Sequence, residues 1–169
     1  MRKVLDGNLV SKFGLSIYET RDIFKDPNIK ILQIPANIFN QNIINSDQIN
    51  AFIENGGSIH VRSIFLQGLL LMDPKLIPSH LEKTKIGVTH FQNIAKDLKI
   101  NKTHLAIICI KYLLPKAKII IGLDNIDQLR EILKIDQSNY NESDVKEIIK
   151  IGQKYSGNIW DTRKWYKNI

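Results

Sequence analysis

Residues 58–74, SIHVRSIFLQGLLLMDP, open with the two-residue alternation of a β-strand and continue as an apolar run. That run is interrupted by Arg62, Ser63, Gln67 and Gly68. A strand that served only a hydrophobic core would not need these residues. We interpret them as the point where a strand becomes a ligand-binding loop. Ser63 would supply a hydroxyl, Gly68 would let a ligand approach the backbone, and exposed N–H groups there would suit a phosphate.

The rest of the chain repeats this order of strand followed by helix. Three further segments have the length and apolar content of strands, at residues 12–18, 30–36 and 117–123. Helical patterns follow them, at residues 19–25, 47–55, 79–100, 101–114, 125–134 and 142–155. Ser46 and either Asn101 or Thr103 are placed to cap two helices, and Gly87 is predicted to punctuate residues 79–100. The sequence predicts four βα units in series within one domain, residues 1–169.

The composition is typical of a soluble globular domain, with 169 residues that are 43% hydrophobic and 24% charged. No apolar run reaches the roughly 18 residues that span a bilayer, and residues 1–12 lack the apolar core of a signal peptide. We therefore expect a cytoplasmic protein. Cys109 is the single cysteine and lies in an apolar helical pattern, as a buried thiol would. Trp160 and Trp165 are expected to pin the C-terminal tail to the body.

The net charge of +7 permits binding to nucleic acid, but the distribution of the charge argues against it. Basic residues are scattered, and no block of five occurs. The histidines lack the spacing of metal ligands: His60, His80, His90 and His104. We therefore expect neither a nucleic-acid partner nor a metal.

Two parallel architectures are compatible with this pattern. Apolar strands separated by helices predict a parallel sheet covered by helices. A doubly wound sheet that binds dinucleotides would need a G-x-G-x-x-G turn, which is absent. A βα barrel needs eight strands and typically about 250 residues, so four units would make half of one.

Polar residues and glycines also mark the carboxyl ends of the other predicted strands, where parallel βα folds bind ligands. They are Ser16 and Tyr18, then Gln33, and then residues 122–125. In the last unit, Asn125 and Gln128 have the spacing of a helix-capping box. The same helix N-terminus could hold a nucleotide. Spacing alone leaves both interpretations open.

At these positions the chain resembles the aldo/keto reductase family, over nearly all of its length but only in that family's C-terminal half. KFGLSIY resembles the entry to the fifth barrel strand, and LQIPANIFNQ resembles the sixth, with Gln33 and Asn37 at the family's positions. RSIFLQGLLLM resembles the seventh strand with its cofactor loop, and GLDNIDQLREIL the eighth strand with its adenosine-binding helix. The tail WDTRKW resembles an ending from a bacterial branch of the family. The implied fold is half of a (β/α) TIM-type barrel, with four parallel strands alternating with helices.

The resemblance also implies a cofactor, NAD(P)H, and a reaction, the reduction of an aldehyde or ketone by hydride transfer. The nicotinamide amide would be contacted by Ser16 and Gln33. The pyrophosphate would be wrapped by Ser63, Phe65, Gln67 and Gly68. The adenosine end would be lined by Gly122, Asp124, Asn125, Gln128 and Glu131.

Several positions depart from the family pattern. The family's catalytic Asp, Tyr, Lys and His belong to the N-terminal half that the resemblance does not cover, so no catalytic residue is assigned here. Nothing supports Tyr18 as the proton donor, and Ile17 replaces the asparagine that usually follows the serine. Arg62 stands where many members carry the aromatic residue that stacks on nicotinamide. Asp124 stands where NADPH-preferring members often carry a basic residue that binds the 2′-phosphate. Its carboxylate would repel that phosphate, so NADH is less disfavoured here, relative to NADPH, than is usual in the family.

Two functional hypotheses follow. The chain is either the cofactor-binding half of an NAD(P)H-dependent aldo/keto reductase, inactive alone, or a non-enzymatic half-barrel binding or interaction module. In both cases half a barrel would leave two sheet edges uncovered, together with inward-facing Ile, Leu and Val side chains. We therefore expect the chain to self-associate or to capture a complementary N-terminal half.

Overall fold

A computed structural model describes residues 7, 9–23, 26–135 and 140–165. One sheet contains four strands: β1 (Phe13–Ser16), β2 (Ile29–Pro35), β3 (Ser58–Arg62) and β4 (Lys118–Ile119). Neighbouring strands are all parallel, and their order in the sheet follows the chain, β1-β2-β3-β4. Residues 1–6, where no signal peptide was expected, and the last two residues of the predicted helix 19–25 lie outside the described residues.

Within the described residues the sheet is accompanied by five α-helices: α1 (Asp47–Glu54), α2 (Lys85–Asp97), α3 (Lys102–Leu113), α4 (Ile126–Leu133) and α5 (Glu142–Lys154). Ser46 caps α1, and Asn101, rather than Thr103, caps α3. The pattern at residues 19–25 forms a single 3-10 turn, Thr20–Asp22. No helix in this part of the chain is long and apolar enough to cross a bilayer.

The sequential strand order distinguishes between the two architectures. Crossovers between parallel strands are right-handed, so a sheet whose strands follow chain order carries its helices on one face. A doubly wound sheet reverses its strand order and carries helices on both faces. The chain is therefore a half-barrel of four parallel strands alternating with helices, the fold that the resemblance implied.

Helix α3 lies at the centre of the core. Its Ile107 and Ile110 pack in one cluster with Leu32 and Val61 on the covered face of the sheet. Its other sides, including Cys109, pack in a second cluster with residues of α2 and α5. Burial raises the pKa of the Cys109 thiol to about 12, so it stays protonated and unreactive at neutral pH, as expected for a structural cysteine.

The uncovered face of the sheet is more polar than we expected. In register across the four strands lie Ser16, Gln33, His60 and Lys118, none of which is fully buried. In the neighbouring row, Gly14 and Ser58 flank Ile31, which is the one branched apolar side chain of the two rows. The expectation of an uncovered layer of Ile, Leu and Val is therefore wrong for these rows, because the branched residues alternate onto the helix-covered face.

β1 and β4 are shorter than the strands predicted at residues 12–18 and 117–123, and one glycine has a different role. β3 ends at Arg62 because Ser63 adopts a left-handed backbone, with φ 63°, which turns the chain out of the sheet. β4 pairs with β3 only through Lys118 and Ile119. Gly87 does not punctuate a helix but lies within α2, where an added Cβ would approach the Trp160 ring to 2.9 Å. The missing side chain therefore makes room for the tail.

Candidate functional site

A cleft of about 680 Å³ lies at the carboxyl ends of β3 and β4. We call it the β3–β4 cleft. Eight of the residues assigned to cofactor binding line it: Ser63, Phe65, Gln67, Gly68, Gly122, Asp124, Gln128 and Glu131. These residues come from two chain segments more than fifty positions apart. The parallel sheet brings the segments together because both follow neighbouring strands at the same edge.

One wall of the cleft is residues 63–72, which we call the β3 loop. Its backbone enters the left-handed region at Ser63, Leu66, Gln67 and Gly68. Outside glycine, each such residue costs on the order of 1–3 kcal/mol and persists only when its surroundings hold it. The side chains of Leu66, Leu69 and Leu70 are buried and fix the loop to the core. The loop therefore has a defined shape that it would not adopt as an isolated peptide.

The opposite wall follows β4 and enters α4. The side-chain oxygen of Asn125 accepts hydrogen bonds from the backbone N–H groups of Asp127 and Gln128, so Asn125 caps the helix. The side-chain oxygen of Gln128 accepts from the backbone N–H of Asp124, at 2.9 Å, one residue before the position that a capping box predicts. Both side chains thus shape this turn. Gln128 also lines the cleft, whereas Asn125 is not among its lining residues.

Ser16 and Gln33 lie apart from this cleft. They are partners in register on β1 and β2, and the Ser16 hydroxyl donates to the side-chain oxygen of Gln33 at 3.1 Å. Neither residue lines the β3–β4 cleft. The structure therefore groups the four predicted pyrophosphate residues with four of the five predicted adenosine residues. It places the predicted nicotinamide pair on β1 and β2, on the uncovered face of the sheet.

A second cleft, of about 570 Å³, lies at the carboxyl ends of β1 and β2. We call it the β1–β2 cleft. The C-terminal tail forms one side of it, through residues 157–158 and 160–164, opposite Tyr18, Asn37 and Asn40. Leu66 lines the β1–β2 cleft, and Ser63 lines both clefts. The two clefts therefore adjoin at the end of β3. The burial of Trp160 and Trp165 confirms the predicted packing of the tail on the body. The place of the tail along a cleft had no signal in the sequence.

Two arginines hold Tyr18 at the edge of the β1–β2 cleft. The guanidinium groups of Arg62 and Arg163 each lie 4.3 Å from the centre of the Tyr18 ring. Arg163 also forms an ion pair with Asp161 at 2.6 Å, and hydrogen bonding to Arg163 lowers the pKa of the Asp161 carboxyl. Tyr18 is therefore a packing partner for two cations.

The histidines serve separate local roles. The side chain of His90 is 3.0 Å from the Tyr155 hydroxyl, and that of His104 is 2.7 Å from the Glu131 carbonyl oxygen. The Nε2 atom of His60 is buried without a hydrogen-bond partner among the described residues. In the same part of the chain, no three His, Cys, Asp or Glu side chains are grouped as metal ligands would be.

The fold and the two clefts define the class of this protein as a parallel βα half-barrel with an open site at the carboxyl edge of its sheet. Neither a family model nor a curated protein matches the chain.

Proposed function

We propose that the β3–β4 cleft binds the pyrophosphate and adenosine portions of a nicotinamide dinucleotide. The protein would then be the cofactor-binding half of an NAD(P)H-dependent reductase of aldehydes or ketones. The observation that carries this proposal is the convergence of eight residues, assigned from two separate sequence motifs, on one cleft. The local structure of the two motifs does not require this convergence. Each motif could form its own turn or helix cap without lying next to the other.

The chemistry of the cleft walls suits this ligand. The left-handed residues Gln67 and Gly68 turn the β3 loop sharply, and a Cβ added at Gly68 would meet no atom within 4 Å. The N–H groups of Gly68 and Leu69 already donate to carbonyl oxygens within the loop, so this wall offers the ligand open glycine backbone and the Ser63 side chain rather than a row of free N–H donors, contrary to the expectation from the sequence. On the opposite wall Gly122 carries no side chain, and an added Cβ would meet no atom within 4 Å. A ligand could therefore approach the backbone on both sides of the cleft.

The test of this proposal is titration of the full chain with NADH and NADPH, followed by cofactor fluorescence, with Gly122→Val as a blocking variant. The φ of Gly122 is not in the left-handed region and the space beside it is open, so valine is expected to leave the fold intact. Valine would fill space that the dinucleotide needs, and we expect the Kd to rise at least about tenfold, or 1.4 kcal/mol. Ala51→Val, at an exposed position of α1, also introduces a valine but outside the cleft and should leave the Kd unchanged. Wild-type protein that binds neither cofactor would contradict the proposal.

Asp124 gives a prediction about cofactor preference. Its exposed carboxylate lines the cleft, so it would oppose the 2′-phosphate of NADPH and tolerate NADH. Asp124→Lys is expected to shift the ratio of the two Kd values by about tenfold towards NADPH at low ionic strength. Asp127→Lys makes the same charge change three residues later and outside the cleft lining, and it should shift the ratio less. Equal shifts in both variants would show a general charge effect and contradict the assignment of Asp124.

The alternative, a non-enzymatic half-barrel module, is favoured by one observation. Tyr18, the tyrosine at the sheet edge, packs against the guanidinium groups of two arginines, Arg62 and Arg163. The two functions are distinguished by mixing this chain with an N-terminal half of an aldo/keto reductase that carries the family's catalytic Asp, Tyr, Lys and His. Carbonyl reduction by the mixture, absent from either part alone, supports the reductase, and cofactor binding without activity supports the module.

A further inference from the structure

The β3 loop is held by two side chains that do not themselves line the cleft. Its last three residues, Leu70, Leu71 and Met72, each present a backbone carbonyl that accepts a hydrogen bond from a side chain of another element. The donors are Gln92 of α2 and Lys102 of α3. We infer that Gln92 and Lys102 are positioning residues that keep the β3 loop in the shape that binds the dinucleotide, an inference that rests on the proposed function.

Gln92 makes the more specific of these contacts. Its side-chain Nε2 donates to the carbonyl oxygens of Leu70, at 3.0 Å, and Met72, at 2.8 Å. One amide therefore fixes the separation and direction of two carbonyls in the same short segment. A hydrocarbon side chain of the same size would fill the space but leave both carbonyls without this donor.

Lys102 completes the set by donating from Nζ to the carbonyl oxygen of Leu71, between the two that Gln92 holds. Its location supports a specific role. Lys102 is the first residue of α3, where a positive charge is opposed by the helix dipole. A lysine there is disfavoured for the helix itself, and its contact with the β3 loop offers a compensating interaction.

These contacts are relevant to binding because the loop is strained. Leu66 and Gln67 have φ values of 53° and 54°, and an unheld loop would relax towards more common backbone conformations. When only a fraction of molecules carries the binding shape, the apparent Kd rises by the inverse of that fraction. Loss of the anchors should therefore weaken nucleotide binding even though neither side chain lines the cleft.

A purely structural role would predict a different result, and Gln41 provides the matched comparison. Its Nε2 also bridges two backbone carbonyls, those of Ile38 at 2.7 Å and Ile149 at 3.1 Å. It joins the segment after β2 to α5 and lines neither cleft. Gln41→Leu thus removes the same chemistry from a site that does not touch the β3 loop.

The experiment compares the wild-type chain, residues 1–169, with Gln92→Leu, Lys102→Met, Lys102→Arg and Gln41→Leu. The Kd for NADH, amide hydrogen exchange of residues 64–72 and the Tm are measured for each. We expect Gln92→Leu and Lys102→Met to raise the Kd about fivefold and to speed exchange in the β3 loop. Lys102→Arg, which keeps a charged donor, should restore the Kd to within about twofold of wild type. Gln41→Leu should lower the Tm with no change in Kd or in loop exchange.

Wild-type Kd and unaltered loop exchange in Gln92→Leu would overturn the inference, as would an equal rise of the Kd in Gln41→Leu. The failure of the proposed function has a separate signature, since wild-type protein would then bind no NADH. In that case the exchange of residues 64–72 still decides whether Gln92 and Lys102 hold the loop.

Discussion

Gly152→Ala is expected to destabilise the protein by about 3 kcal/mol, although alanine is the better helix former. Gly152 is buried within α5, and a Cβ added there would lie 2.1 Å from the carbonyl oxygen of Ile38. That atom belongs to the backbone, so a rotamer change cannot relieve the contact. The helix must move away, and the Gln41 contact to the Ile149 carbonyl must weaken with it. The free energy of unfolding, from urea denaturation followed by circular dichroism, measures the effect.

Gly122→Ala is the control for this variant. The new methyl group at residue 122 meets no atom within 4 Å and φ is not in the left-handed region, so the change should stay within about 0.5 kcal/mol. Helix propensity alone predicts the opposite for Gly152, a gain of about 1 kcal/mol on replacement by alanine. A Gly152→Ala protein as stable as wild type would therefore contradict the close packing of α5 on the segment after β2.

Trp160→Ala is expected to cost about 3–5 kcal/mol, the range for truncation of a buried tryptophan. The Trp160 ring is 2% exposed and stacks on Phe39 with ring centres 4.0 Å apart. It also fills the space left by Gly87, and its Nε1 donates to the Tyr155 carbonyl oxygen. Thermal and urea unfolding measure the loss of stability.

The variant Trp160→Phe separates the packing of the ring from its hydrogen bond. Phenylalanine keeps an aromatic ring against Phe39 but lacks the Nε1 donor. We expect this variant to lose about 1 kcal/mol for the hydrogen bond and a smaller amount for packing, and so to retain most of the wild-type stability. Because residues 160–164 line the β1–β2 cleft, Trp160→Ala should also speed amide exchange in the tail. Unchanged stability and exchange would mean that the tail is not held by this residue.

The two clefts depend on the core for their shape in different ways. The β3 loop combines a strained backbone with buried leucines, so its geometry is maintained by the packing of α2 and α3 beneath it. The tail side of the β1–β2 cleft is held by one aromatic stack and by the charge pairs around Tyr18. Changes in the core are therefore expected to reach the candidate site without altering any residue that lines it.

Local sequence was sufficient to predict several features of this fold. Alternating and apolar runs located all four strands, and the cap residues Ser46 and Asn125 located the starts of their helices. The polar interruption at Ser63 and Gly68 correctly marked the end of β3 as the wall of a cleft. These features depend on residues close together in the chain, whose conformational preferences can be read directly.

Other predictions failed because they depended on distant residues. Gly87 resembled a helix terminator, but a tail more than seventy residues later packs against it. The fourth strand was predicted over seven residues, whereas β4 pairs with β3 through only two, and beyond Arg62 it has no strand to pair with because β3 leaves the sheet at Ser63. The contacts of Gln92 with the β3 loop had no local signal, because a glutamine on a helix is ordinarily a solvent-exposed residue.

The sequence by itself determined the four βα units, their parallel arrangement and the polar groups at the strand ends. Only the tertiary structure decided which of those ends share a cleft, which face of the sheet stays uncovered, and which side chains hold the strained loop. The physical reason is the range of the interactions. Hydrophobic periodicity and helix capping act within a few residues, whereas a cleft is made by segments that the sheet register brings together from distant parts of the chain.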